Sequence, residues 1–198
     1  MQSAQKIHIA EQDYLEMERA LPQKHEYYRG EIYTMGGESF RHTKIASNMH
    51  IYIGNFLRKK PYDIFFSDLR VHIPKAQFYS YPDLVIICGE PQYADNQFDT
   101  ITNHKIIIEI LSPSTEYNDK EVKFGLYTFS ESFEEYILVH LSKPEIEVYH
   151  KVQGSWLYDT NSGIDKELYI NKIDCLIPFA EIYNGVIFDN DVIKINRT

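Results

Sequence analysis

The fold is decided by two stretches, DLVIIC at residues 83–88 and KIIIEIL at residues 105–111. Both are short, rich in β-branched residues and almost continuously apolar, which is typical of strands that are covered on both faces of a sheet. The segment Ser112-Pro113-Ser114-Thr115 ends the second strand. A buried pair of strands in the middle of the chain predicts an α/β fold built on a central sheet.

Periodic segments on either side supply the other predicted elements. Apolar residues recur at helical spacing over residues 40–59, which predicts a helix, and Pro61 stops it. Residues 25–33 predict a hairpin whose turn is supplied by Gly30. Shorter helices are predicted at residues 10–19, 118–129 (with Val122, Leu126 and Phe129 on its apolar face) and 177–183, and strands at 63–67, 69–73, 135–141, 145–151 and 156–158. We therefore expect one domain over residues 1–198, with a mixed central sheet flanked by helices.

Composition excludes several classes of protein. The chain has 198 residues, of which 43% are hydrophobic and 25% are charged, close to globular averages. No segment approaches the roughly 18 apolar residues that a membrane helix needs, and the first residues carry no signal-peptide pattern. We expect a cytoplasmic protein, with no membrane partner, whose Cys88 and Cys175 are reduced thiols.

Charge is distributed unevenly along the chain. The formal net charge of −9 argues against a general nucleic-acid binder, but residues 1–80 carry a net charge of +2 and residues 81–198 a net charge of −11. Seven basic and two acidic residues lie between positions 41 and 75. This region is either a solvated charge pattern or the surface that meets a polyanion. In the second case Arg41, His42, Lys44 and Arg70 are the candidate nucleic-acid-binding residues.

Two carboxylates occupy the apolar strands, where an unpaired charge is costly to bury. If the strands pair antiparallel with a turn near Asn96, the sequence numbers of cross-strand partners sum to 192, so Asp83 lies beside Glu109 at about 5 Å between Cβ atoms. Two like charges that close require a cation, and hard oxygen ligands suit Mg²⁺ or Mn²⁺. The alternatives are two independent salt-bridged or edge carboxylates, and a connection that holds other structure in place of a simple turn.

Lys123 follows the second strand and stands four residues after Asp119 on a predicted helix. The spacing fits an exposed ion pair worth about 0.3–0.5 kcal/mol. It also fits an amine that folds over the Asp83–Glu109 pair. An amine within about 4 Å of that pair would favour an enzyme.

Several motifs together resemble the Uma-two family of putative restriction endonucleases, within the PD-(D/E)XK nuclease superfamily. They are Tyr81-Pro82-Asp83, the segment from Ile108 to Thr115, and Asp119 with Lys123 and Tyr127. The resemblance extends over about residues 10–190. It includes upstream similarities at Glu26, Gly30-Glu31, Met35 and His42, in the segment from Ser67 to Val71, and at Glu134-Glu135-Tyr136.

The resemblance implies a restriction-endonuclease-like fold and a metal-dependent endonuclease that hydrolyses DNA. It implies that Asp83 and Glu109 hold Mg²⁺ or Mn²⁺, with the Ile110 carbonyl as a further ligand. The superfamily's lysine two residues after the glutamate is absent, since Leu111 stands there, and Lys123 takes its role. Glu31, and with less support Glu26, matches an additional upstream acid.

A second reading is open, a catalytically inactive module that binds nucleic acid or a protein partner; Leu111 and the net charge of −9 favour it. A homodimer is also expected, because double-strand cutters commonly act as symmetric pairs. The aromatic residues Tyr149, Trp156 and Tyr158 would form its interface or would cover one face of the sheet.

Overall fold

A computed structural model describes residues 8–188. The helices are α1 (Glu11–Ala20), α2 (Phe40–Leu57), α3 (Phe124–Tyr127) and α4 (Phe179–Ile182), and a π-helix (Asn118–Lys123) leads directly into α3. The strands are β1 (His25–Tyr28), β2 (Glu31–Thr34), β3 (Tyr62–Phe66), β4 (Arg70–Ile73), β5 (Phe78–Ser80), β6 (Leu84–Cys88), β7 (Thr100–Ile101), β8 (His104–Leu111), β9 (Glu135–His140), β10 (Glu145–Val152), β11 (Ser155–Ser162), β12 (Glu167–Ile170) and β13 (Cys175–Pro178).

The central sheet has the strand order β11-β10-β9-β8-β6-β3 and is mixed, because β8 and β9 run parallel while the other pairs are antiparallel. One face packs against α2, α4 and the β12–β13 hairpin, and the other packs against β4, β5 and α3. Residues along β8 alternate between these two cores: Ile108 and Ile110 belong to the first, and Ile107 and Leu111 to the second. The predicted mixed sheet with both faces covered is confirmed.

The expected pairing of β6 with β8 is confirmed, since Leu84 pairs with Ile108 and Val85 with Ile107 in antiparallel register. A bulge after Ile86 shifts the register at the far end. The simple turn near Asn96 is wrong, because the connection contributes β7, which joins a second sheet beside β4. Continuous apolar burial fixes the pairing of the two strands independently of how the chain connects them.

The second sheet has the order β2-β1-β5-β4-β7 and carries the predicted hairpin. Arg29 and Gly30 both have positive φ, 46° and 87°, as a two-residue hairpin turn requires. A Cβ at Gly30 would also collide with the ring of His8. The turn therefore needs glycine for its backbone conformation and for the space beside it.

Two predicted helices differ from the structure. In residues 118–129 the buried positions are Asp119, Lys123, Leu126 and Tyr127, whereas Val122 and Phe129 are exposed. The apolar stripe therefore indicated the wrong face, because charged side chains of this segment turn inward to meet carboxylates. The predicted closing helix over residues 177–183 is shorter: its first two residues end β13, and α4 begins at Phe179.

Within residues 8–188 no helix is long and apolar enough to cross a membrane.

Candidate active site

Asp83 and Glu109 lie next to each other where β6 begins beside β8. The backbone amide of Asp83 donates to Glu109 Oε2 at 3.2 Å, and Asp83 Oδ2 accepts from the amide of Ile110 at 2.7 Å. Because side chains alternate along β8, Glu109 points to the face that the second sheet and α3 cover. The two acids that the sequence placed together are therefore in contact through their backbone and side-chain atoms.

Lys123 reaches this pair from the π-helix. Its Nζ lies 3.5 Å from Glu109 Oε1, 3.2 Å from Asp119 Oδ1 and 2.8 Å from Glu26 Oε1. The Lys123 side chain is only 9% exposed, so the interpretation as an exposed ion pair with Asp119 is wrong. A π-helix inside a helical segment is frequent at functional sites, and here it directs two charged side chains on successive turns, Asp119 and Lys123, towards the sheet.

Burial and charge oppose each other in this cluster. Burial raises the pKa of Glu109 well above its ordinary value, and the Lys123 ammonium counteracts only part of that effect. Burial disfavours the charge of Lys123, but the carboxylates of Glu109 and Glu26 outweigh it and raise the pKa of the amine. The amine is therefore charged at neutral pH, and it is the cation that offsets the buried acids.

Other side chains hold the two strand acids in place. Tyr127 donates its hydroxyl to Glu109 Oε1 at 3.3 Å and lies 3.0 Å from the Ser80 hydroxyl. His42, in the first turn of α2, bonds Asp83 Oδ2 at 3.0 Å through Nε2. Burial opposes protonation of His42, but its bonds to Asp83 and Glu38 raise its pKa to about 10. The imidazole is thus a cation that fixes one oxygen of Asp83.

Sequence reasoning missed Glu38 and Ser80, and it did not identify Asp83 as the partner of His42. Glu38 lies 2.9 Å from His42 Nδ1, and its only sequence signal is its place four residues before that histidine. Ser80 precedes the Tyr81-Pro82-Asp83 motif, but a lone serine at a strand end predicts no partner. These contacts depend on how α2 and α3 pack on the sheet, which no local pattern specifies.

The donors at this site fit a hard divalent cation. Asp83 and Glu109 supply carboxylate oxygens, and the Ile110 carbonyl points to the same side of β8 as its amide, which faces Asp83. Glu26 Oε1 is buried and receives no hydrogen bond from the described residues, since its contact with Lys123 is an ion pair outside hydrogen-bond geometry. Oxygen donors with a net negative charge are what Mg²⁺ or Mn²⁺ require.

The hairpin brings Glu26 to the amine, and it places Glu31 elsewhere. Glu31 accepts a hydrogen bond from Tyr33 at 2.7 Å and pairs with Tyr28 across the hairpin. Glu26 lies two residues before Tyr28 on β1, so its side chain points to the same face of the sheet, where it meets Lys123. The upstream acid nearest the candidate site is therefore Glu26.

The candidate nucleic-acid-binding residues separate into two groups: Arg41 and Lys44 are accessible, whereas His42 and Arg70 are buried and bonded within the protein. Arg41 and Lys44 are partly exposed near the start of α2, beside His42. Arg70 is 2% exposed and bonds Thr100, Tyr81 and Asp99. Its guanidinium is thus used inside the protein, and the expectation that Arg70 binds nucleic acid is corrected.

The aromatic residues near the C-terminal strands mostly cover the sheet. Tyr149 and Trp156 pack against Phe124, with ring centroids 4.5 and 5.2 Å apart, and Tyr158 is half exposed. Of the two uses that the sequence left open, Tyr149 and Trp156 therefore serve the packing of the sheet face.

Comparison with known proteins adds to this geometry. The family model described as "Uma2: Putative restriction endonuclease" matches residues 11–167. The chain is 34% identical over 181 residues to the uncharacterized protein slr1290 of Synechocystis sp., which covers 91% of this chain and 94% of that protein. It is 33% identical over 157 residues to the uncharacterized protein sll1609 of the same organism, with coverage of 79% and 89%.

A solved structure shows the fold. The crystal structure of a putative nuclease belonging to DUF820 from Anabaena variabilis has a TM-score of 0.69 and 17% identity, and the match covers 89% of this chain and 98% of that one. The likeness confirms the expected α/β, restriction-endonuclease-like architecture.

Proposed function

Because this chain belongs to the Uma2 family, described as putative restriction endonucleases, we propose that it is an endonuclease that hydrolyses DNA phosphodiester bonds with Mg²⁺ or Mn²⁺. One observation carries the proposal: the Lys123 amine lies 3.5 Å from Glu109, next to Asp83. Two strand carboxylates and a lysine are the charged groups that metal-assisted phosphodiester hydrolysis uses. Leu111 replaces the lysine expected on β8, and Lys123 supplies an amine on the same face from the facing helix.

The cation would be held by Asp83, Glu109 and the Ile110 carbonyl. A cation held there would supply Lewis-acid chemistry, that is, polarisation of a phosphoryl oxygen and activation of a water. His42 and Tyr127 orient the two acids: His42 bonds Asp83 Oδ2, and Tyr127 donates to Glu109 Oε1, while Glu109 Oε2 accepts from the backbone amide of Asp83. Fixed donors of this kind limit the reorganisation of the ligands.

Lys123 acts through its positive charge. As an ammonium held by Glu26 and Asp119, it has no lone pair with which to take a proton, so it donates hydrogen bonds. An ammonium at this place offsets negative charge that develops on the phosphate in the transition state and helps position a nearby water. Lys123 is therefore proposed as the electrostatic catalyst of the reaction.

DNA would approach along the start of α2. Arg41 and Lys44 are partly exposed there, beside His42 and the candidate metal ligands. Lysine and arginine contacts with phosphates supply affinity without reading sequence. The overall charge of −9 repels DNA from most of the protein, so approach requires a locally basic surface such as this one.

The alternative is an inactive module with the same fold. Leu111 and the acidic net charge favour it, whereas a buried lysine in contact with three carboxylates favours the enzyme. A module has no need to bury four ionisable groups, because their desolvation costs several kcal/mol for each ion.

The test is cleavage of supercoiled and linear DNA with millimolar Mn²⁺, using wild type, Lys123→Met and Lys120→Met. Lys120 is a matched control: it lies on the same π-helix and pairs with Glu116 and Glu147, away from the Asp83–Glu109 pair. We expect Lys123→Met to lower the rate about 10²-fold or more, and Lys120→Met to retain activity. Equal rates for all three proteins, or no cleavage by wild type, would contradict the proposal.

We also propose that the protein forms a homodimer, because a closed two-fold pair is the commonest assembly of soluble proteins. Sedimentation at two protein concentrations would test this, and a monomer at both concentrations would exclude it.

A further inference from the structure

We propose that a cavity beside Lys123 receives an unpaired nucleobase of the strand to be cut, so that the substrate class is single-stranded or locally opened DNA. The cavity has a volume of about 330 Å³. This inference rests on the proposed function, since it names the substrate of the same site. Its test is arranged so that the two ideas can fail separately.

The cavity lies between the β1–β2 hairpin, β5 and the π-helix. Three aromatic residues line it, Tyr28, Tyr33 and Phe78. Tyr28 pairs with Phe78 across β1 and β5, and their rings meet edge to face with centroids 6.3 Å apart. Perpendicular rings offer both a face and an edge, so a planar ligand can stack on one ring while the other borders it.

The polar groups of the lining suit the edge of a base. The Asn118 amide offers both a donor and an acceptor, and the Tyr33 hydroxyl, which donates to Glu31, offers an acceptor. Of the four other lining residues, Val122 and Leu126 are apolar, and Glu26 and Lys123 form an ion pair with each other. A neutral, planar ring with donors and acceptors along its edge matches this combination better than a phosphate, which carries charge and has no flat face.

Size points to the same ligand. Small-molecule sites span about 300–1,000 Å³, and this cavity is at the lower limit. It can hold one ring system, whereas a stacked base pair within a duplex cannot enter it. A base must leave the helical stack to reach such a pocket, and bases that are already unpaired do so at the lowest cost.

Continuity with the candidate active site identifies which base would enter. Glu26 and Lys123 line the cavity, and the same Lys123 amine touches Glu109. A phosphate next to Lys123 therefore has its own nucleoside, or the adjacent one, within reach of the aromatic walls. Stacking there would fix the register of the strand relative to the scissile bond.

The test measures binding of a single-stranded oligonucleotide that contains 2-aminopurine, and of the same sequence as a duplex, in Ca²⁺ with wild type, Tyr33→Ala and Val122→Trp. Wild type should quench 2-aminopurine fluorescence in the single strand and bind it more tightly than the duplex. Tyr33→Ala should weaken single-strand binding about 5- to 150-fold, the equivalent of about 1–3 kcal/mol. Val122→Trp should weaken it as well, because the larger side chain fills the cavity without removing a stacking ring.

Tyr169→Ala is the matched control. Tyr169 is 45% exposed and donates to Asp174 at 2.7 Å, while Tyr33 is 48% exposed and donates to Glu31 at the same distance. The control should bind the single strand as wild type does. Unchanged binding by both Tyr33→Ala and Val122→Trp would overturn the inference, as would equal wild-type affinity for both forms of DNA.

The two proposals separate in parallel cleavage assays with Mn²⁺. Cleavage that depends on Lys123 but not on Tyr33 would overturn the base pocket and leave the nuclease standing. Binding of the single strand that depends on Tyr33, in a protein that never cleaves DNA, would support the pocket and contradict the nuclease. A protein that neither binds nor cleaves either form of DNA would overturn both.

Discussion

Replacing Lys123 with methionine removes a buried positive charge and retains most of the volume of the side chain. Three carboxylate oxygens lie between 2.8 and 3.5 Å from its amine, and the side chains of Lys123, Glu109 and Asp119 are all less than 10% exposed. Breaking a buried ion pair by removing one partner costs about 3–5 kcal/mol, because the other charge stays buried without compensation. We expect the free energy of unfolding of Lys123→Met to fall by about that amount at pH 8 in EDTA.

Urea unfolding followed by tyrosine and tryptophan fluorescence would measure this change. Glu26→Gln in the Lys123→Met background should restore part of the loss, with a coupling free energy of about 1–3 kcal/mol, since Glu26 is the acid nearest the amine. Lys75→Met is the control: Lys75 pairs with Glu131 at an exposed position, and its loss should cost less than about 1 kcal/mol. A loss below 1 kcal/mol for Lys123→Met, or zero coupling to Glu26, would refute the buried cluster.

Three other predictions concern stability. Burial lowers the pKa of His104 to about 3, so below about pH 6.5 this histidine binds a proton in the unfolded chain but not in the folded chain. The free energy of unfolding therefore decreases as pH falls from 6.5 towards 3. His104→Leu should remove about 2 kcal/mol of the decrease between pH 7 and pH 5, and an identical decrease in both proteins would contradict this. Glu135 is fully buried and accepts two backbone amide hydrogen bonds at 3.0 Å, so Glu135→Ala should cost about 2–6 kcal/mol in urea unfolding, and a cost below 1 kcal/mol would show that these bonds are not made. Ser39 caps α2 by accepting from a backbone amide at 3.2 Å, and Ser39→Ala should lower the unfolding midpoint by the equivalent of about 1 kcal/mol, whereas Ser39→Asp should not.

The central sheet was predictable because many residues of two of its inner strands indicate the same thing, namely burial on both faces. Ten of the thirteen residues of β6 and β8 are apolar, and seven of these are β-branched, so burial on both faces determines their pairing whatever the connection between them contains. For the same reason, the register predicted from the sequence numbers of cross-strand partners placed Asp83 beside Glu109. The β7 strand was missed because two residues that pair with a distant strand leave no periodic pattern.

The candidate site was only partly predictable. Asp119 and Lys123 at a spacing of four residues fit an exposed ion pair and a buried one equally well, and only the packing of the π-helix on the sheet decides between them. Arg70 was predicted to bind nucleic acid because it lies in a basic segment, but its buried guanidinium forms an ion pair with Asp99, 29 positions later in the chain. Contacts between residues far apart in sequence have no local signature.

The hairpin acids show how strand geometry selects among similar residues. Glu26 and Glu31 flank the same turn, and both were candidates for the upstream acid. Cross-strand register pairs Glu26 with Tyr33 and Glu31 with Tyr28, so the two acids are displaced from each other along the strands. Only the position relative to the π-helix brings Glu26 to the amine of Lys123.

The most direct test of the proposed nuclease is a calorimetric titration of Mn²⁺ into wild type, Asp83→Asn and Asp63→Asn. Asn at position 83 still offers an oxygen to the amide of Ile110, so the strand contact survives while the charge is lost. Asp63 is the control, because it is an exposed acid on β3 of the same sheet. A metal site at the Asp83–Glu109 pair predicts saturable binding by wild type and Asp63→Asn that weakens at least tenfold in Asp83→Asn. Equal binding by all three proteins, or no binding by wild type at millimolar Mn²⁺, would contradict it.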